Sequence, residues 1–548
     1  MEHREDLKSI LPFLPAVLRS CSLFWPSQVV ETLGTLSRGP EHSRVDSGEV
    51  LFLAISNLRD SIGLSSELLT DSVAEGYALF FDELMSRVES RKWFSEALPS
   101  LAALLLRLPS LLEIHYQNAD NLIGGVKTGL RVLGPQEAGI VFLSQELIGA
   151  LLTCSFFCLF PITNRGAEDL PTVNFSQLFA SIYSNYSENQ EHKIKCLIHY
   201  FERLSSCMPM GCVSFERKVL SSKHVPLSVS YPNTDFWSKS VVRLCHFEVS
   251  HSGLIEDQLC ESLEVDFANK YIGGGALHRG CVQEEIRFMI NPELIAGMLF
   301  LPSMADNEAI EIFGAERFSN YTGYASSFRF VGDYVDEKPV DFMGRRKTRI
   351  VAIDALCNPR MRQYKPECLL RETNKAFCGF YDQSKQQLYQ DAFRVEAFCE
   401  DKPSQEIEGL SGRAGSDQIG KPLSSAEGLN DGESIAVLIN KSHIEQRIQA
   451  KEPQNDIGIV TGNWGCGAFG GDPELKTIIQ WLAASQAFRP FILYCTFGEK
   501  TLQKIEQVTR WIVLHEWTVG DLWNMLSEYS SQRLKGKIDT GFFTWLLP

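Results

Sequence analysis

The last hundred residues contain a strand, loop, helix and strand pattern that allows few arrangements. An apolar run at residues 457–461 leads into a glycine-rich loop at residues 462–471. Asp472 then supplies an N-cap and Pro473 the first position of an amphipathic helix, and a second apolar run follows at residues 491–497. Two strands joined in this way are predicted to be parallel, with a right-handed crossover. Their carboxyl ends then lie at the edge where open α/β sheets bind ligands.

The sequence pattern divides the chain near residue 224. Up to about residue 220 apolar residues recur at helical spacing, as at residues 101–112, so residues 1–224 are predicted to form an all-helical accessory domain. From residue 225 onward, short strand-like runs alternate with glycine-rich turns and helical segments, which predicts an α/β fold for residues 225–548. Residues 400–456 are polar and rich in glycine, serine and acids, which predicts a mobile insertion.

Composition and charge disfavour several classes of protein. The chain has 52 basic and 68 acidic residues among 548, and its net charge of −16 disfavours direct nucleic-acid binding. Its 15 cysteines form no short regular framework and no pair of CxxC steps. They favour reduced thiols in the nucleus or the cytoplasm and predict no metal site. The apolar stretch at residues 147–162 is short for a membrane span and predicts a buried helix that begins at Ser144.

The densest group of candidate functional residues lies at residues 264–287. Gly273, Gly274 and Gly275 can expose backbone N–H groups without a Cβ in the way, which suits the close approach of a diphosphate. Most glycine triplets are ordinary turns. The second glycine-rich loop, at residues 462–471, also precedes a helix N-terminus, so the two loops could clamp a pyrophosphate together.

Two adjacent carboxylates follow the first loop. On a helix Glu284 and Glu285 diverge by about 100°, so they cannot face each other across a bond. We expect one to orient sugar hydroxyls and the other to exchange a proton with the leaving oxygen, although such a pair is usually a solvated helix start. Asp266 and Asn269 flank the end of the preceding strand, where they either contact ribose or bond the turn backbone.

These residues resemble the signature of the poly(ADP-ribose) glycohydrolases, a glycine triplet shortly before Gln-Glu-Glu. Here seven residues separate Gly275 from Gln283. The resemblance extends over most of residues 225–530 and is carried by residues 265–269, 291–294, 321–325, 351–355, 461–472 and 496–498. It implies an α/β (α+β) macrodomain-like catalytic core with an N-terminal helical accessory domain. It also implies hydrolysis of the ribose–ribose O-glycosidic bonds of poly(ADP-ribose), without a cofactor.

The resemblance further implies a role for each matching residue. Glu285 would protonate the departing ribose oxygen and then activate water, Glu284 would hold ribose hydroxyls, and Asp266 would complete the acidic site. A general acid needs a raised pKa, which burial beside a second carboxylate supplies. The other residues would bind substrate: Asn269, Gly273, Gly274, Gly275 and Gln283 at ribose or phosphate, Ile255, Glu256, Tyr324 and Phe497 at adenine, and Asn463, Trp464, Gly465, Cys466, Gly467, Ala468 and Phe469 around the diphosphate.

Two other functions stay open at this point. A non-catalytic macrodomain reader of poly(ADP-ribose) would keep both glycine loops but would not need Glu285, and a helical scaffold would leave both loops unexplained. Cys466 has no identifiable histidine partner and is not expected to be a nucleophile, while His278 is predicted to lie in a surface loop. The expected partners are poly(ADP-ribose) chains on modified proteins, with no membrane, in the response to DNA damage.

Overall fold

The computed structural model describes residues 3–19, 22–67, 69–221, 229–258, 261–383 and 457–548. The predicted boundary between residues 224 and 225 and the predicted insertion at residues 400–456 both lie outside the described residues.

An eight-stranded mixed sheet is the largest sheet of the described chain. The described chain has the following strands, eight of which form this sheet: β1 (Val17–Arg19), β2 (Ser22–Phe24), β3 (Gly139–Ser144), β4 (Cys212–Val219), β5 (His246–Ser250), β6 (Ser262–Asp266), β7 (Glu308–Phe313), β8 (Ser319–Thr322), β9 (Arg329–Asp333), β10 (Arg349–Ala352), β11 (Gly458–Gly462) and β12 (Phe491–Cys495). The strand order in the main sheet is β3-β4-β7-β10-β6-β11-β12-β5. β10, β6, β11, β12 and β5 are parallel, whereas β7, β4 and β3 are antiparallel to their neighbours. The mixed α/β sheet that the sequence predicts is therefore present.

Helices occur in both the N-terminal and the C-terminal part of the described chain. The α-helices are α1 (Glu5–Ile10), α2 (Ser27–Leu36), α3 (Pro40–Ser43), α4 (Gly48–Ser61), α5 (Asp71–Ala78), α6 (Arg87–Lys92), α7 (Leu98–Leu106), α8 (Leu108–Ala119), α9 (Gln145–Phe156), α10 (Ser176–Ser184), α11 (Glu188–Ser206), α12 (Thr234–Lys239), α13 (Gln283–Ile290), α14 (Pro366–Phe380), α15 (Pro473–Gln486), α16 (Ile505–Leu514), α17 (Val519–Leu534) and α18 (Phe542–Leu546). Short 3-10 turns lie at Leu11–Phe13, Ile255–Asp257, Pro292–Leu299, Ala325–Ser327, Arg360–Tyr364 and Lys500–Leu502, and π-helical turns at Leu79–Leu84 and Trp93–Ala97.

The N-terminal region is predominantly helical, but the prediction that it is helical throughout is wrong. β3 and β4 extend the main sheet beyond β7, so this region shares the sheet of the α/β core. A short apolar run does not distinguish a strand from a helix by its periodicity, and the run in β3 continues directly into α9. Buried apolar side chains from Leu7 to Ala352 form one hydrophobic cluster across both regions.

The helix predicted after Ser144 is confirmed. The Ser144 side chain accepts a hydrogen bond of 3.2 Å from the Leu147 backbone N–H, and α9 is buried along its whole length. Among the described residues, length and composition qualify no single helix to cross a membrane. The bent helix pair Arg87–Leu106 and Leu108–Ala119 passes the same test.

The C-terminal pattern is also confirmed. β11 and β12 are parallel and are joined by α15, which Asp472 caps by accepting hydrogen bonds from Glu474 N and Leu475 N. The apolar face of α15 is buried, as expected for Leu475, Ile478, Ile479, Leu482 and Ala483. Asp266 pairs with Ala352, and Gly462 with Cys495. The carboxyl ends of β10, β6, β11 and β12 therefore form one edge, where both glycine-rich loops lie.

Candidate active site

Backbone amides of the first glycine loop hold the two neighbouring glutamates. The Glu284 carboxylate accepts hydrogen bonds from Asn269 N (2.9 Å) and Gly273 N (2.7 Å). The Glu285 carboxylate accepts from Gly275 N (2.9 Å) and Val282 N (2.8 Å). Both side chains are buried at the start of α13, which follows the loop. The pair is therefore not a solvated helix start, and each carboxylate is fixed by two N–H donors.

This arrangement corrects the reason given for the glycine triplet. The N–H groups of Gly273 and Gly275 bind carboxylates, and Gly274 N donates to Tyr271 O at 3.0 Å. The three amides are thus engaged within the protein and do not form a free cradle for a diphosphate. Positive φ angles at Gly273 (87°) and Gly274 (48°) turn the loop over the carboxylates. Substrate binding by the three glycines stays a prediction.

The acidic cluster holds protons near neutral pH. Asp266 ends β6 with its side chain buried, and this burial raises its pKa to about 8, with Arg287 opposing and Glu285 adding to the shift. Burial and the charges of Asp266 and Glu285 also raise the pKa of Glu284 well above its usual range. Burial therefore favours the protonated forms of Asp266 and Glu284, and the charge of either one raises the cost of ionising its neighbour.

Two cationic side chains, the buried Arg287 and the partly buried Lys338, pair with Glu264 next to the cluster. Arg287 Nη2 lies 2.6 Å from Glu264 Oε2, and Lys338 Nζ lies 2.6 Å from Glu264 Oε1. Arg287 is one helical turn from Glu284 and also lowers the pKa of Asp266. Part of its positive charge therefore reaches the acidic cluster from the protein interior.

The side chains of Gln283 and Asn269 bind the loop backbone. Gln283 Oε1 accepts from Phe267 N (2.8 Å) and its Nε2 donates to Val265 O (3.1 Å), which fixes α13 to the end of β6. Asn269 Oδ1 accepts from Tyr271 N at 3.1 Å, so this side chain bonds its own turn. Of the two roles considered for Asn269, the structure shows the turn contact, and the ribose contact stays a prediction.

Lys193 is the site residue that sequence reasoning missed. Its side chain reaches from α11 and donates to the carbonyl oxygens of His278 (2.8 Å), Gly280 (2.5 Å) and Gly275 (3.3 Å). The side chain is fully buried, and burial lowers its pKa to about 8, against the raising effect of nearby Cys281 and Glu285. The helical region thus holds the loop that positions Glu285. No motif marks a lysine that acts through carbonyl groups more than eighty residues away.

The second glycine loop is anchored from below. Trp464 is fully buried, its indole N–H donates to Ile353 O at 2.8 Å, and Lys476 Nζ lies 3.9 Å from its ring centroid. Asn463 Nδ2 donates to Thr496 O at 3.0 Å. The exposed part of the loop is Gly467, Ala468 and Gly470, and Phe469 is half-buried.

The expected diphosphate contact with the N-terminus of α15 does not fit this geometry. The Asp472 carboxylate accepts from Glu474 N (2.9 Å) and Leu475 N (3.3 Å), so a negative side chain already occupies the helix end. A diphosphate at this loop would face exposed loop amides rather than the helix terminus. Cys466 Sγ donates to Trp464 O at 3.5 Å, and burial raises the pKa of this thiol well above its usual range, which disfavours a nucleophilic thiolate. In the described chain no cluster of His, Cys, Asp and Glu side chains has the arrangement of a metal site.

The residues predicted at adenine fall into two groups. Ile255 is buried in a cluster with Val460 and Cys495, and Glu256 accepts a hydrogen bond from the Tyr321 hydroxyl. Both residues are therefore buried beside β6 and β11, and their contact with adenine stays a prediction.

Two aromatic side chains are instead open to solvent. Tyr324 is 55% exposed and Phe497 is 45% exposed. Burial of the Tyr324 hydroxyl raises its pKa, with a hydrogen bond from the Gln283 backbone opposing and Glu285 adding to the shift, so this residue lies beside the start of α13. The Phe497 ring packs against Gly462 at the end of β11. The acids, the second loop and both aromatic residues thus lie along one sheet edge.

Comparison with known proteins agrees with this architecture. A family model described as "Poly (ADP-ribose) glycohydrolase (PARG), Macro domain fold" matches residues 234–504, and one described as the helical domain of the same family matches residues 85–217. The macrodomain fold and the helical N-terminal region are thereby confirmed. The match begins at residue 85, so it leaves the predicted domain boundaries untested.

Curated relatives match over the whole chain. Poly(ADP-ribose) glycohydrolase 1 of Arabidopsis thaliana is 59% identical over 100% of this chain and 98% of its own length. Probable poly(ADP-ribose) glycohydrolase 2 of the same plant is 53% identical over 100% of this chain and 99% of its own length. Poly(ADP-ribose) glycohydrolase 1 of Caenorhabditis elegans is 30% identical over 77% of this chain and 46% of its own length. The chain therefore belongs to the poly(ADP-ribose) glycohydrolase family of glycosyl hydrolases.

Proposed function

We propose that the chain hydrolyses the ribose–ribose O-glycosidic bonds of poly(ADP-ribose) and releases ADP-ribose, with Glu285 as general acid and base. The observation that carries this proposal is the acidic cluster of Asp266, Glu284 and Glu285 at the sheet edge, held by amides of the glycine loop. The names of the matched relatives support the choice of substrate.

Exposure distinguishes the three acids. Glu285 is 7% exposed, Glu284 is 2% exposed and Asp266 is 1% exposed. A group that exchanges protons with both a substrate oxygen and a water molecule must reach the surface of the site. Glu285 is the most accessible of the three, and we assign the proton transfer to it.

The proposed reaction consumes one water molecule. Glu285 gives its proton to the bridging ribose oxygen as the bond to the anomeric carbon breaks, and positive charge develops on the sugar ring. The carboxylate left on Glu285 then takes a proton from the water molecule that adds to the anomeric carbon. The site returns to its starting protonation state, and the released ADP-ribose carries the new hydroxyl group.

We assign Glu284 to the ribose hydroxyl groups. Each Glu284 oxygen accepts one backbone hydrogen bond and keeps a second lone pair that can accept from a hydroxyl group. Asp266 is enclosed by protein, and in its ionised form its charge raises the pKa of Glu284. We therefore propose an electrostatic role for Asp266 and no direct contact with substrate.

The test compares two glutamate-to-glutamine variants on acceptor protein that carries poly(ADP-ribose). In Glu285→Gln the amide can replace the hydrogen-bonding role of only one oxygen and cannot transfer the proton, so release of ADP-ribose should fall at least about a thousandfold. Glu293→Gln is the matched control, because Glu293 is also buried and also accepts two N–H donors, from Gln145 Nε2 (2.9 Å) and Glu316 N (2.7 Å). It should keep turnover at temperatures where it is folded.

The same assay separates the alternative function. If the chain is a non-catalytic reader, the wild-type protein binds the polymer with measurable affinity but releases no ADP-ribose. Glu285→Gln then leaves this binding unchanged. Equal turnover of wild type and Glu285→Gln would reject the assignment of Glu285 alone. The cellular compartment, nucleus or cytoplasm, stays a prediction.

A further inference from the structure

A buried cluster of charged side chains lies beneath the second glycine loop. All of its members are at least nine-tenths buried, and they come from the end of β10, from α14 and from α15: Asp354, Arg371, Glu372, Lys375 and Lys476. Arg371 pairs with Asp354 (2.6 Å) and with Glu372 (2.5 Å). Lys375 pairs with Asp354 at 2.6 Å. Lys476 pairs with Glu372, so the five side chains form one continuous network.

The charges of this network do not cancel, because it holds three cations and two carboxylates. Arg371 also pairs with Asp306 at 2.8 Å, but the Asp306 side chain is 73% exposed and is screened by water. Burial and the charge of Arg371 lower the pKa of Lys476 well below its usual range, with Asp354 opposing the shift. A buried charge that its neighbours do not balance is costly, and an anion bound nearby would offset that cost.

Lys476 is the member of the network that lies against the loop. A Cβ atom on Gly465 would be 3.3 Å from Lys476 Nζ, and a Cβ atom on Gly471 would be 3.2 Å from Lys476 Cε. Gly471 N donates to Gly465 O at 2.9 Å, which closes the loop between these two glycines. The Trp464 ring, whose centroid is 3.9 Å from Nζ, covers the ammonium group from another side. The positive charge therefore lies directly below the loop backbone.

The outer side of the same loop offers hydrogen-bond donors. Within the described residues, the backbone N–H groups of Gly467, Ala468 and Phe469 donate to no protein acceptor. Gly467 and Ala468 are also exposed to solvent. Consecutive N–H groups in a turn of this kind are typical of anion-binding nests. An anion held by these N–H groups would face the Lys476 ammonium across the loop backbone.

We infer that Lys476 is a positioning residue for the diphosphate of ADP-ribose, which it attracts through the second glycine loop without touching it. The loop itself, residues 462–471, contains no lysine or arginine, so its own donors are uncharged. Lys476 supplies the missing positive charge from the protein interior. The inference rests on the proposed function and deepens it, because it names the charge that favours a diphosphate at this loop.

The test titrates two ligands, ADP-ribose and adenosine, which lacks the diphosphate, into wild type and Lys476 variants. Lys476→Gln removes the charge but keeps a donor for Glu372, so it should weaken the binding of ADP-ribose about tenfold and leave that of adenosine unchanged. Lys476→Arg keeps the charge and should stay within about threefold of wild type for both ligands. In polymer hydrolysis, Lys476→Gln should raise KM with little change in kcat, because the cluster that contains Glu285 is untouched.

Lys375→Gln is the matched control, because it removes an equally buried cation of the same network whose Nζ donates instead to Ala305 O (2.6 Å) and Glu308 O (2.8 Å). Its ratio of Kd for ADP-ribose to Kd for adenosine should stay within about twofold of wild type.

Circular dichroism checks that each variant is folded, and Lys476→Met replaces Lys476→Gln as the neutral variant if the latter is not. The inference is overturned if a folded neutral variant binds ADP-ribose as tightly as wild type, or if it loses equal affinity for both ligands. It is also overturned if Lys476→Arg loses as much affinity for ADP-ribose as the neutral variant. Failure of the proposed function has a different signature, since wild type would then bind ADP-ribose but release none from the polymer.

Discussion

Gly274 lies so close to Glu284 that a Cβ atom on Gly274 would be 2.6 Å from Glu284 Oε2. The same atom would be 2.8 Å from Glu285 Oε1. Gly274 also has a φ angle of 48°, a region that side-chain-bearing residues rarely adopt. The middle glycine of the triplet is therefore required by both backbone conformation and the position of the two carboxylates.

Gly274→Ala should inactivate the enzyme while leaving a folded protein. The added methyl group must displace the Glu284 and Glu285 carboxylates, and a shift of about 1 Å costs on the order of a hundredfold in turnover. Release of ADP-ribose measures the loss. Gly34→Ala is the control, since Gly34 lies inside α2 and its added methyl group would meet no atom within 4 Å, so this variant should keep activity and gain up to ~1 kcal/mol of stability. Full activity of Gly274→Ala would contradict the steric argument.

Lys193→Met should impair turnover more than substrate binding. The variant removes hydrogen bonds to three carbonyl groups of the loop. The Gly275 carbonyl keeps the backbone N–H groups of His278 and Gly280, whereas the carbonyls of His278 and Gly280 lose the lysine donor, at a cost of ~1–3 kcal/mol each where no water replaces it. Since Gly275 and Glu285 share that loop, we expect kcat to fall about tenfold or more, with a smaller change in KM.

The control for this prediction lies two residues along the same helix. Lys195 pairs at 2.6 Å with Glu191, a largely buried carboxylate that also accepts a hydrogen bond from the Tyr186 hydroxyl. Lys195→Met removes no contact with the glycine loop, so it should leave kcat unchanged. Steady-state kinetics and urea unfolding of both variants give the comparison. Equal kcat for Lys193→Met and wild type would show that the loop keeps its position without the lysine.

Local signals in the sequence predicted much of this site. The capping of α15 by Asp472 and the strand before it depend on residues that are adjacent in the chain, and both are confirmed. The closeness of the glycine triplet to Glu284 and Glu285 also depends on a short separation. In each case the interacting residues are close in sequence, so their spacing is enough to predict the contact.

Long-range contacts account for what the sequence did not predict. Lys193 contacts Gly280, which is 87 residues further along the chain. β4 pairs with β7, and the periodicity of a strand does not indicate which other strand it will pair with. The sequence predicts that the glycine amides face a diphosphate. A sequence shows that glycine N–H groups are accessible, but it does not show which acceptor lies nearest to them. The acceptors proved to be carboxylates of the protein itself.

Asp266→Asn should alter how stability depends on pH. The folded protein keeps a proton on Asp266 up to a pKa of about 8, whereas the unfolded chain loses it near 3.8. Between these values the folded state binds more protons, so rising pH destabilises wild type relative to a variant that cannot ionise. The stability of Asp266→Asn minus that of wild type should therefore increase from about pH 4 to about pH 8 and then level off.

Urea unfolding across this pH window measures the difference. Asp120→Asn is the control, because a hydrogen bond from Arg4 lowers the pKa of Asp120 below its usual 3.8, so that Asp120 is ionised in both the folded and the unfolded state from about pH 5 upward. The stability difference between Asp120→Asn and wild type should stay constant there. A constant difference for Asp266→Asn as well would show that Asp266 is ionised in the folded enzyme.

Phe497→Ala should weaken the binding of ADP-ribose with little effect on folding. The Phe497 ring is 45% exposed at the carboxyl end of β12, so its removal leaves no cavity in the core. Stacking of a base on an aromatic ring contributes ~1–3 kcal/mol, which corresponds to a roughly 5- to 150-fold increase in Kd. Phe497→Trp keeps a flat ring and should retain affinity close to that of wild type.

Isothermal titration with ADP-ribose tests this directly, because a product ligand binds without turnover. Phe342→Ala is the matched control, since Phe342 is 87% exposed and lies in a surface turn away from the sheet edge that carries the acids. A general effect of losing an exposed phenylalanine would appear in both alanine variants, whereas stacking predicts weaker binding in Phe497→Ala alone. If Phe497→Ala binds ADP-ribose as tightly as Phe342→Ala, the adenine ring lies elsewhere, and Tyr324 beside the start of α13 becomes the remaining exposed aromatic candidate among those predicted.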